Sequence, residues 1–532
     1  MSPPRSMAAR YIVGSVCLFH ILAVMGYLLR EGRLSIVPIY DDVAYLVDGL
    51  KRLATLDQAG IGGFLVGFWT EPAHAPFSAL TSTLGFLMTG GAVWGPYLLN
   101  SVWVIAALCI AMIVLRRVHP WSAAGIAVAV LAAPIFGGAV TEFRPDPVWG
   151  LLVGFSLLAM TATDLLRAPL SRLFAIGLLF GAAVLSKPTA APASVAVLGV
   201  GIIVQVALQL AFEVQRPTMT EVGRRVGTVA LGVVVVITPY FLASGAEILS
   251  YVLAVMRTES DVWATSTSTM GHLTYYLNRE TGTMMLGWIW YLALPTLLLC
   301  TAVLAVTRER YHSCGFAALM AALCAAYFIV TVSKVKTPMI GSILYGVIIA
   351  AVTWSLGHLA SLLRTRHVLV LMLGLAIFVT QWHPRGLSGA LRTNPAMLAV
   401  DQASKAAFPV VLDAIRAGAK TVLVTVPGPV YDATLDFFTR QEGNSATYVT
   451  GYTWNDWQRF IDAIPSADVI VLSEAGMLGQ SLGGFNFPSV QFQGRLLEVL
   501  KSRPEFTGQT VFTDPQNRSV WVFVRQSSRG TT

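Results

Sequence analysis

The chain has 532 residues, of which 55% are hydrophobic and only 12% are charged, and its mean hydropathy is +0.66. Because soluble proteins carry about 25% charged residues, this composition excludes an ordinary soluble enzyme and predicts a multi-pass membrane protein. Most of the net charge of +8 comes from arginines between apolar segments, a pattern that indicates membrane topology and not nucleic-acid binding.

The first apolar run, residues 11–29, follows Arg5 and Arg10 and is long enough to span a bilayer. No small-residue cleavage site follows it, so we expect an uncleaved first helix instead of a signal peptide. Ten further apolar segments bring the predicted number of transmembrane helices to eleven. They lie at 96–115, 121–140, 148–166, 173–186, 192–212, 226–243, 284–306, 314–332, 339–360 and 367–381.

Arginines in the short connections predict the orientation of these helices. Connections rich in arginine usually face the cytoplasm, and here that side includes the N-terminus. An odd number of spans then places the C-terminus outside the cytoplasm. We expect the membrane to be the inner membrane of a bacterium. The arginines are Arg116 and Arg117, Arg167 and Arg172, Arg216, Arg224 and Arg225, Arg308 and Arg310, and Arg364 and Arg366.

A long outer loop, residues 30–95, follows the first span. It carries the adjacent carboxylates Asp41 and Asp42, after which apolar residues recur at helical spacing and predict an amphipathic helix that lies on the membrane. The apolar stretch at 77–88 is shorter than the roughly 17 residues that a crossing needs, so we interpret it as interfacial or re-entrant.

From residue 395 the composition becomes that of a soluble protein, which divides the chain into a transmembrane module (1–394) and a C-terminal domain (395–532). Strand and helix patterns alternate there, so we predict a small extracytoplasmic α/β domain that docks or recognises an acceptor. It has no GxGxxG or P-loop sequence, and we assign it no nucleotide site. The predicted strands are 421–426, 468–472, 511–512 and 519–524, and the predicted helices lie near 431–442, 455–463 and 491–502.

Asp41 and Asp42 are the first candidates for chemistry. Aspartate is favoured at helix N-caps, so a capping role is the structural alternative. Neighbouring residues on a helix point in different directions, so one carboxylate can support the helix while the other faces a substrate. A carboxylate in that position can act as general base, and we predict both residues to be catalytic.

The segment Glu142-Phe-Arg-Pro-Asp146 is the second candidate. It can be a polar turn closed by a local ion pair. In the functional interpretation, Asp146 is a second active-site acid that holds sugar hydroxyls. Arg144 then binds a phosphate or a carboxylate.

All lysines of the membrane part fall on the predicted outer side, against the usual charge bias. Lysines at a membrane boundary often extend their ammonium groups into the interface without further function. Together, they would form a cationic site for a lipid phosphate, and stabilising a phosphate leaving group is what transfer from such a donor requires. The lysines are Lys51, Lys187, Lys334 and Lys336, of which the last three are candidate phosphate contacts.

Glu71, His74 and His272 offer metal-ligand chemistry without metal-motif spacing. We interpret them as polar loop residues and assign no metal ligands, although a divalent cofactor stays open. Glu71 and His272 remain candidates for binding substrate. Three charged residues in the same outer loop as His272 could contact a sugar: Arg257, Glu259 and Asp261.

In the order of its motifs, the chain resembles the GT-C glycosyltransferases that use polyprenyl-phosphate-linked sugars, specifically the branch with aminoarabinose transferases and protein O-mannosyltransferases. The resemblance covers roughly residues 1–380. It departs from the family at Asp42, where glutamate is common, and after Glu71, where a lysine is usual. The motifs are Tyr40-Asp-Asp42, Glu71-Pro-Ala-His-Ala-Pro76, Arg144-Pro-Asp-Pro147, Leu185-Ser-Lys-Pro188 and Ser333-Lys-Val-Lys336.

The resemblance implies that Asp41 is the catalytic carboxylate and that the lysines bind the lipid phosphate. We therefore expect transfer of a sugar from a polyprenyl-phosphate donor to a hydroxyl of a lipid, glycan or protein outside the membrane, with inversion and without a nucleotide. The alternative is a transporter or flippase for lipid-linked sugars or polysaccharides. Because the charges cluster on one side instead of lining a path at mid-membrane, the enzyme is favoured.

Overall fold

The structure is a computed structural model, and it has a helical part followed by an α/β part. In the helical part, apolar helices surround a continuous core, and the α/β part has a separate core on each face of its sheet. The residues that it describes are 3–72, 74–213, 217–254, 264–265, 267–307, 309–362, 366–425, 428–474, 477 and 487–526.

In the first half of the chain, most of the described residues lie in α-helices. Its helices are α1 (Pro3–Arg30), α2 (Tyr40–Thr70), α3 (Pro76–Thr89), α4 (Trp94–Asn100), α5 (Val102–Val114), α6 (Pro120–Leu131), α7 (Pro134–Thr141), α8 (Pro145–Thr161), α9 (Leu170–Ser186), α10 (Ala191–Phe212) and α11 (Met219–Leu253).

The second half begins with helices and ends in the α/β part. Its elements are α12 (Thr269–Thr274), α13 (Arg279–Leu286), α14 (Trp288–Thr307), α15 (Arg310–Val332), α16 (Ser342–Leu362), α17 (His367–Gln381), α18 (Pro395–Arg416), β1 (Thr421–Val424), α19 (Asp432–Gln441), β2 (Thr447–Thr450), α20 (Trp457–Ala463), β3 (Val469–Ser473), α21 (Gln493–Ser502), β4 (Phe506–Thr513) and β5 (Ser519–Arg525).

Each of the eleven predicted spans lies on helical structure. Among the described residues, seven helical segments are long and apolar enough to cross a membrane, or eight if α6 and α7 count together. The number of crossings therefore stays a prediction. Helices α6 and α7 bend by 60° where one straight span was expected, because Pro134 lacks an N–H and restrains the residue before it.

Helix α2 follows the predicted acidic pair and is bent at Gly60. This residue has a φ of 65°, a left-handed conformation that glycine adopts without steric penalty. Before the bend, Val43, Leu46 and Val47 are buried in the core of the helical part. The predicted apolar face thus exists, but these residues pack against protein, whereas the sequence analysis expected the helix to lie on the membrane. Helix α3 packs against this part of α2. The bend redirects the second part of α2, which ends at Thr70.

Helices α8 and α16 pack backbone to backbone through glycines. A Cβ added at Gly346 would overlap the carbonyl oxygen of Gly150, and one added at Gly154 would overlap the carbonyl oxygen of Gly346. Small residues allow such close approach, which helices in membranes use for association. This packing fixes α8, whose first turn carries Asp146.

Gly346→Ala is expected to destabilise the protein by about 1–3 kcal/mol, because the methyl group must displace backbone and not a flexible side chain. The matched control is Gly199→Ala in α10, where an added Cβ meets no atom within 4 Å. Thermal unfolding of both variants in detergent measures the difference. Equal transition temperatures would show that the α8–α16 contact is looser than described.

The described strands form one sheet in the order β2-β1-β3-β5-β4, with β1 parallel to β2 and β3, and β5 antiparallel to β3 and β4. Successive residues of a strand face opposite sides, so Val422 and Val424 pack with α18 and α19, whereas Leu423 packs with α20 and α21. This confirms the expected fold class, a helical membrane protein with a C-terminal α/β part. Strand β2 and helix α18 were absent from the prediction.

Candidate active site

Asp41 and Asp42 both lie in the first turn of α2. The N-cap residue is Ile39, so neither carboxylate occupies the capping position that was the structural alternative. The helix dipole stabilises negative charges in the first turn, so both carboxylates stabilise α2 locally. Their side chains differ in environment, since Asp41 is 60% exposed and Asp42 is fully buried.

The exposed carboxylate of Asp41 is held from the start of α8. Arg144 Nη2 donates a hydrogen bond to Asp41 Oδ2 at 2.5 Å, and the Arg144 side chain is 25% exposed. Arg144 is the N-cap residue of α8, where Pro145 sets the first turn. The sequence reasoning predicted that Arg144 binds a ligand anion, whereas here its partner is the protein's own carboxylate.

Asp146 and Lys187 extend this arrangement inward. Arg144 Nε lies 3.8 Å from Asp146 Oδ2, and Lys187 Nζ donates a hydrogen bond to Asp146 Oδ1. The Asp146 side chain is only 7% exposed and that of Lys187 is 21% exposed. Two carboxylates and two cations thus alternate in a row, and we call these four residues, Asp41, Arg144, Asp146 and Lys187, the charged row.

Lys187 is fixed by the helices on either side of it. It ends α9, and Pro188 opens the turn that leads into α10. Its ammonium group lies 5.2 Å from the centre of the Trp149 ring, a cation–π distance. The Trp149 indole N–H in turn donates a hydrogen bond to Ser194 Oγ at 2.7 Å. The lysine is therefore oriented before any ligand binds.

The buried carboxylate of Asp42 connects α2 to two other segments of the chain through hydrogen bonds. Asp42 Oδ2 accepts hydrogen bonds from the backbone N–H of Phe143 at 3.0 Å and from the Tyr97 hydroxyl at 3.1 Å. Burial raises the pKa of Asp42 to about 6, against the opposing effect of Arg33. Because it links α2 to the residue that precedes Arg144, Asp42 is placed to position the charged row.

Arg33 and Glu142 complete this buried cluster. The sequence analysis named Glu142 only as part of a candidate segment and did not single out Arg33. Arg33 Nη2 donates a hydrogen bond to Glu142 Oε2 at 2.5 Å, and its Nε lies 3.6 Å from Asp42 Oδ2. Glu142 also accepts a hydrogen bond from the Ser388 hydroxyl. One guanidinium thus neutralises two buried carboxylates, an arrangement that depends on every member being present.

Aromatic side chains stand beside the charged row. The rings of Tyr45 and His74 are 6.3 Å apart, and those of His74 and Tyr251 are 5.0 Å apart. Desolvation and the Lys187 ammonium lower the pKa of His74, which disfavours its protonated form. His74 was interpreted as a polar loop residue, and its position between prolines in the Glu71–Pro76 segment was the signal available in the sequence.

The other predicted site residues lie apart from the charged row. Glu71 follows α2 as its C-cap residue, and its carbonyl oxygen accepts a hydrogen bond from Arg52. Lys334 is exposed, whereas Lys336 is buried. None of the described contacts joins Glu71, Lys334, Lys336 or His272 to the charged row, and Arg257, Glu259 and Asp261 lie outside the described residues.

Lys336 has a local structural role. Its ammonium group donates hydrogen bonds to the carbonyl oxygens of Val330 at 2.8 Å and Thr331 at 2.7 Å, at the end of α15. It also lies 5.3 Å from the centre of the Tyr276 ring. A lysine at a helix C-terminus satisfies carbonyls that lack intrahelical partners.

The C-terminal α/β part contacts the residues just before Asp41. Val37 N–H donates a hydrogen bond to Asp401 Oδ1 at 2.8 Å, and Thr434 Oγ1 donates one to the Pro38 carbonyl at 2.6 Å. Apolar residues of both parts form a small shared core there, namely Ile36, Val37, Ile39, Met397 and Val400. The entry into α2, and with it Asp41, is therefore held partly by the α/β part.

No model of a protein family matches the chain, and no curated protein matches its sequence. Solved structures do match. ArnT from Cupriavidus metallidurans bound to undecaprenyl phosphate has a TM-score of 0.59 and 16% identity, covering 98% of this chain and 99% of that one. Arabinofuranosyltransferase AftD from Mycobacteria has a TM-score of 0.52 and 14% identity, covering 98% of this chain and 40% of that one. The chain thus has the GT-C fold, as the resemblance implied.

Proposed function

We propose that this GT-C-fold membrane protein transfers a sugar from a polyprenyl-phosphate donor to a hydroxyl of a lipid, glycan or protein on the outer face of a bacterial inner membrane. The observation that carries the proposal is the exposed Asp41 carboxylate, held by Arg144 beside the Asp146–Lys187 ion pair, whose lysine is partly exposed. The names of the similar proteins support it, since one structure contains undecaprenyl phosphate and the other is called an arabinofuranosyltransferase.

Asp41 acts as the general base in this proposal. Its carboxylate accepts the proton of the acceptor O–H, and the acceptor oxygen forms a bond to the anomeric carbon of the sugar. The bond from that carbon to the lipid phosphate breaks, and the electron pair leaves with the phosphate. Because a single displacement comes from the opposite face, the anomeric configuration inverts. Arg144 orients the carboxylate through its hydrogen bond.

Lys187 receives the leaving phosphate. An ammonium group has three N–H donors, and one of them is directed to Asp146. The remaining donors can bind phosphate oxygens as negative charge develops on them in the transition state. Asp146 holds the ammonium in place and offers its second oxygen to a sugar hydroxyl. Neither step uses a nucleotide, because the donor carries its own activated bond.

In this proposal, the remaining predicted residues act outside the charged row. Lys334, which is exposed, is a second contact for the lipid phosphate, whereas Lys336 caps α15 and supports that contact. Glu71 and His272 are proposed to contact the parts of the substrate that extend beyond the charged row. Asp42 acts on catalysis through position, because its carboxylate is fully buried. The inner part of the site therefore consists of the charged row.

The test is sugar transfer by the purified full-length protein, with a panel of polyprenyl-phosphate sugars as donors and a membrane-lipid extract as acceptor. We expect transfer from the lipid-monophosphate donors, none from nucleotide sugars, release of polyprenyl phosphate, and a product with inverted configuration. A retained configuration would contradict the single displacement. No transfer with any donor, together with movement of labelled donor across vesicles, would establish the transporter alternative instead.

A further inference from the structure

Three side chains with metal-ligand chemistry meet where α15 begins and α16 ends. Glu309 directly precedes α15, His312 lies in its first turn, and His358 lies in the last turns of α16. One ligand atom from each side chain lies within 4.8 Å of the other two. We propose that Glu309, His312 and His358 bind one divalent cation of the zinc class, which links α15 to α16.

The separations between the ligand atoms fit a cation. Glu309 Oε2 is 2.7 Å from His312 Nδ1 and 3.9 Å from His358 Nδ1. When zinc binds nitrogen and oxygen at about 2.0–2.1 Å in a tetrahedron, its ligands lie about 3.3 Å apart. The two observed separations lie on either side of that value. Each of the two separations is brought to that value by a change of about 0.6 Å, which the half-exposed Glu309 and His312 side chains can make by rotating.

The burial of His358 distinguishes this cluster from an ordinary surface ion pair. Its side chain is only 3% exposed, and its Nε2 has no hydrogen-bond partner. Its Nδ1 is 3.9 Å from the Glu309 carboxylate, which is too far for a hydrogen bond. A cation between His358 Nδ1 and the Glu309 carboxylate oxygen would bind this buried ring through the nitrogen that the carboxylate does not reach, while Nε2 stays outside the metal site.

The donor set selects the class of metal. Two imidazole nitrogens and one carboxylate oxygen suit zinc, whereas magnesium and calcium prefer ligand sets made of oxygens. The ring of Trp354 stacks on His358 with centres 5.5 Å apart and restrains its orientation. Both histidines also line a cavity of about 260 Å³, in which a water molecule or an anion can complete the coordination.

This cluster is separate from the charged row. Ser342, at the start of α16, touches Gly150 in α8, close to the turn that carries Asp146. His358 lies 16 residues further along α16, and a rise of 1.5 Å per residue corresponds to about 24 Å. The proposed cation therefore takes no part in sugar transfer, and the inference stands independently of the proposed function.

The test measures zinc by mass spectrometry in purified full-length protein from which any histidine tag has been removed. After equilibration with zinc and removal of the excess, we expect about one zinc per chain, as for a three-ligand site. Added zinc is expected to raise the thermal unfolding temperature. A chelator reverses this rise, and magnesium does not reproduce it.

Glu309→Gln and His312→Asn are the decisive variants, because both side chains are half-exposed and their replacement leaves the core intact. Each is expected to lose the bound zinc and the zinc-dependent rise in unfolding temperature. The matched control is His367→Asn at the start of α17, a histidine that stacks on His119 with ring centres 4.0 Å apart. This variant is expected to keep the zinc.

His358→Asn is expected to behave like the other two ligand variants if it folds. If it does not fold, the Glu309 and His312 variants decide the matter, since they do not alter a buried side chain. The proposal is overturned if the wild-type protein binds no zinc. It is also overturned if His312→Asn and Glu309→Gln retain as much zinc as His367→Asn does.

Discussion

Asp41→Asn is expected to lower the rate of sugar transfer by about 10²–10⁴-fold, the range that a positioned general base supplies. The amide has nearly the shape of the carboxylate but cannot take the acceptor proton. Because the Asp41 side chain is 60% exposed, the substitution should leave folding intact. Initial rates with a saturating polyprenyl-phosphate sugar, together with the thermal unfolding temperature, test both parts of this expectation.

The matched control for this variant is Asp57→Asn, which removes another exposed carboxylate from the same helix. It is expected to transfer sugar at the wild-type rate. Asp41→Glu keeps a base at a displaced position and should recover part of the activity. If Asp41→Asn stays within about tenfold of the wild type, Asp41 is not the general base, because that loss is smaller than general-base catalysis supplies.

A loss of activity in Asp41→Asn could also follow from a misplaced Arg144, whose hydrogen bond to Asp41 would weaken. Donor binding distinguishes the two causes. If the carboxylate is the base, undecaprenyl phosphate should protect the variant and the wild type equally against thermal unfolding. A variant that is inactive and also unprotected would point to a disturbed binding site.

The residues of the charged row were predictable, but their pairing was not. Asp41, Arg144, Asp146 and Lys187 stood out as charges at the ends of apolar segments, and the predicted topology put them on one side. The hydrogen bond from Arg144 to Asp41 joins residues 103 positions apart. Such a contact depends on how the helices pack, which the hydrophobic pattern of one segment does not specify.

The difference between Asp41 and Asp42 illustrates the same limit. Two adjacent helical residues must point in different directions, and this much followed from the sequence. Which of them faces the core was decided by Arg33, Tyr97 and the backbone of Phe143, which come from three separate segments. The sequence analysis did not single out Arg33, whose contact with Glu142 joins residues 109 positions apart.

In the α/β part, the central strands were predictable and the sheet edge was not. Strand β3 is fully buried and its first four residues, 469–472, are all apolar, which gives a clear pattern. Strand β2, Thr447-Tyr-Val-Thr450, is short and partly exposed at the edge of the sheet, so its pattern resembles that of a loop. Helix α18 had a readable start signal, with Asn394 as its N-cap and Pro395 in its first turn.

Arg33→Met is expected to lower the free energy of unfolding by about 3–5 kcal/mol, because it leaves two buried carboxylates without their cation. Asp42 is fully buried, Glu142 is 3% exposed, and Arg33 contacts both. The measurement is thermal or chemical unfolding in detergent. The control is Arg30→Met, an exposed arginine whose replacement should change stability by no more than about 0.5 kcal/mol.

Two further results distinguish a charge effect from lost packing. Adding Glu142→Gln to Arg33→Met should recover part of the stability, because one of the uncompensated charges is then absent. The deficit of Arg33→Met should also shrink as the pH falls toward 6, because the pKa of Asp42 is about 6 beside Arg33 and higher without that cation, so that Asp42 of the variant takes up a proton first and then needs no cation. A deficit independent of pH and unchanged by Glu142→Gln would assign Arg33 a packing role.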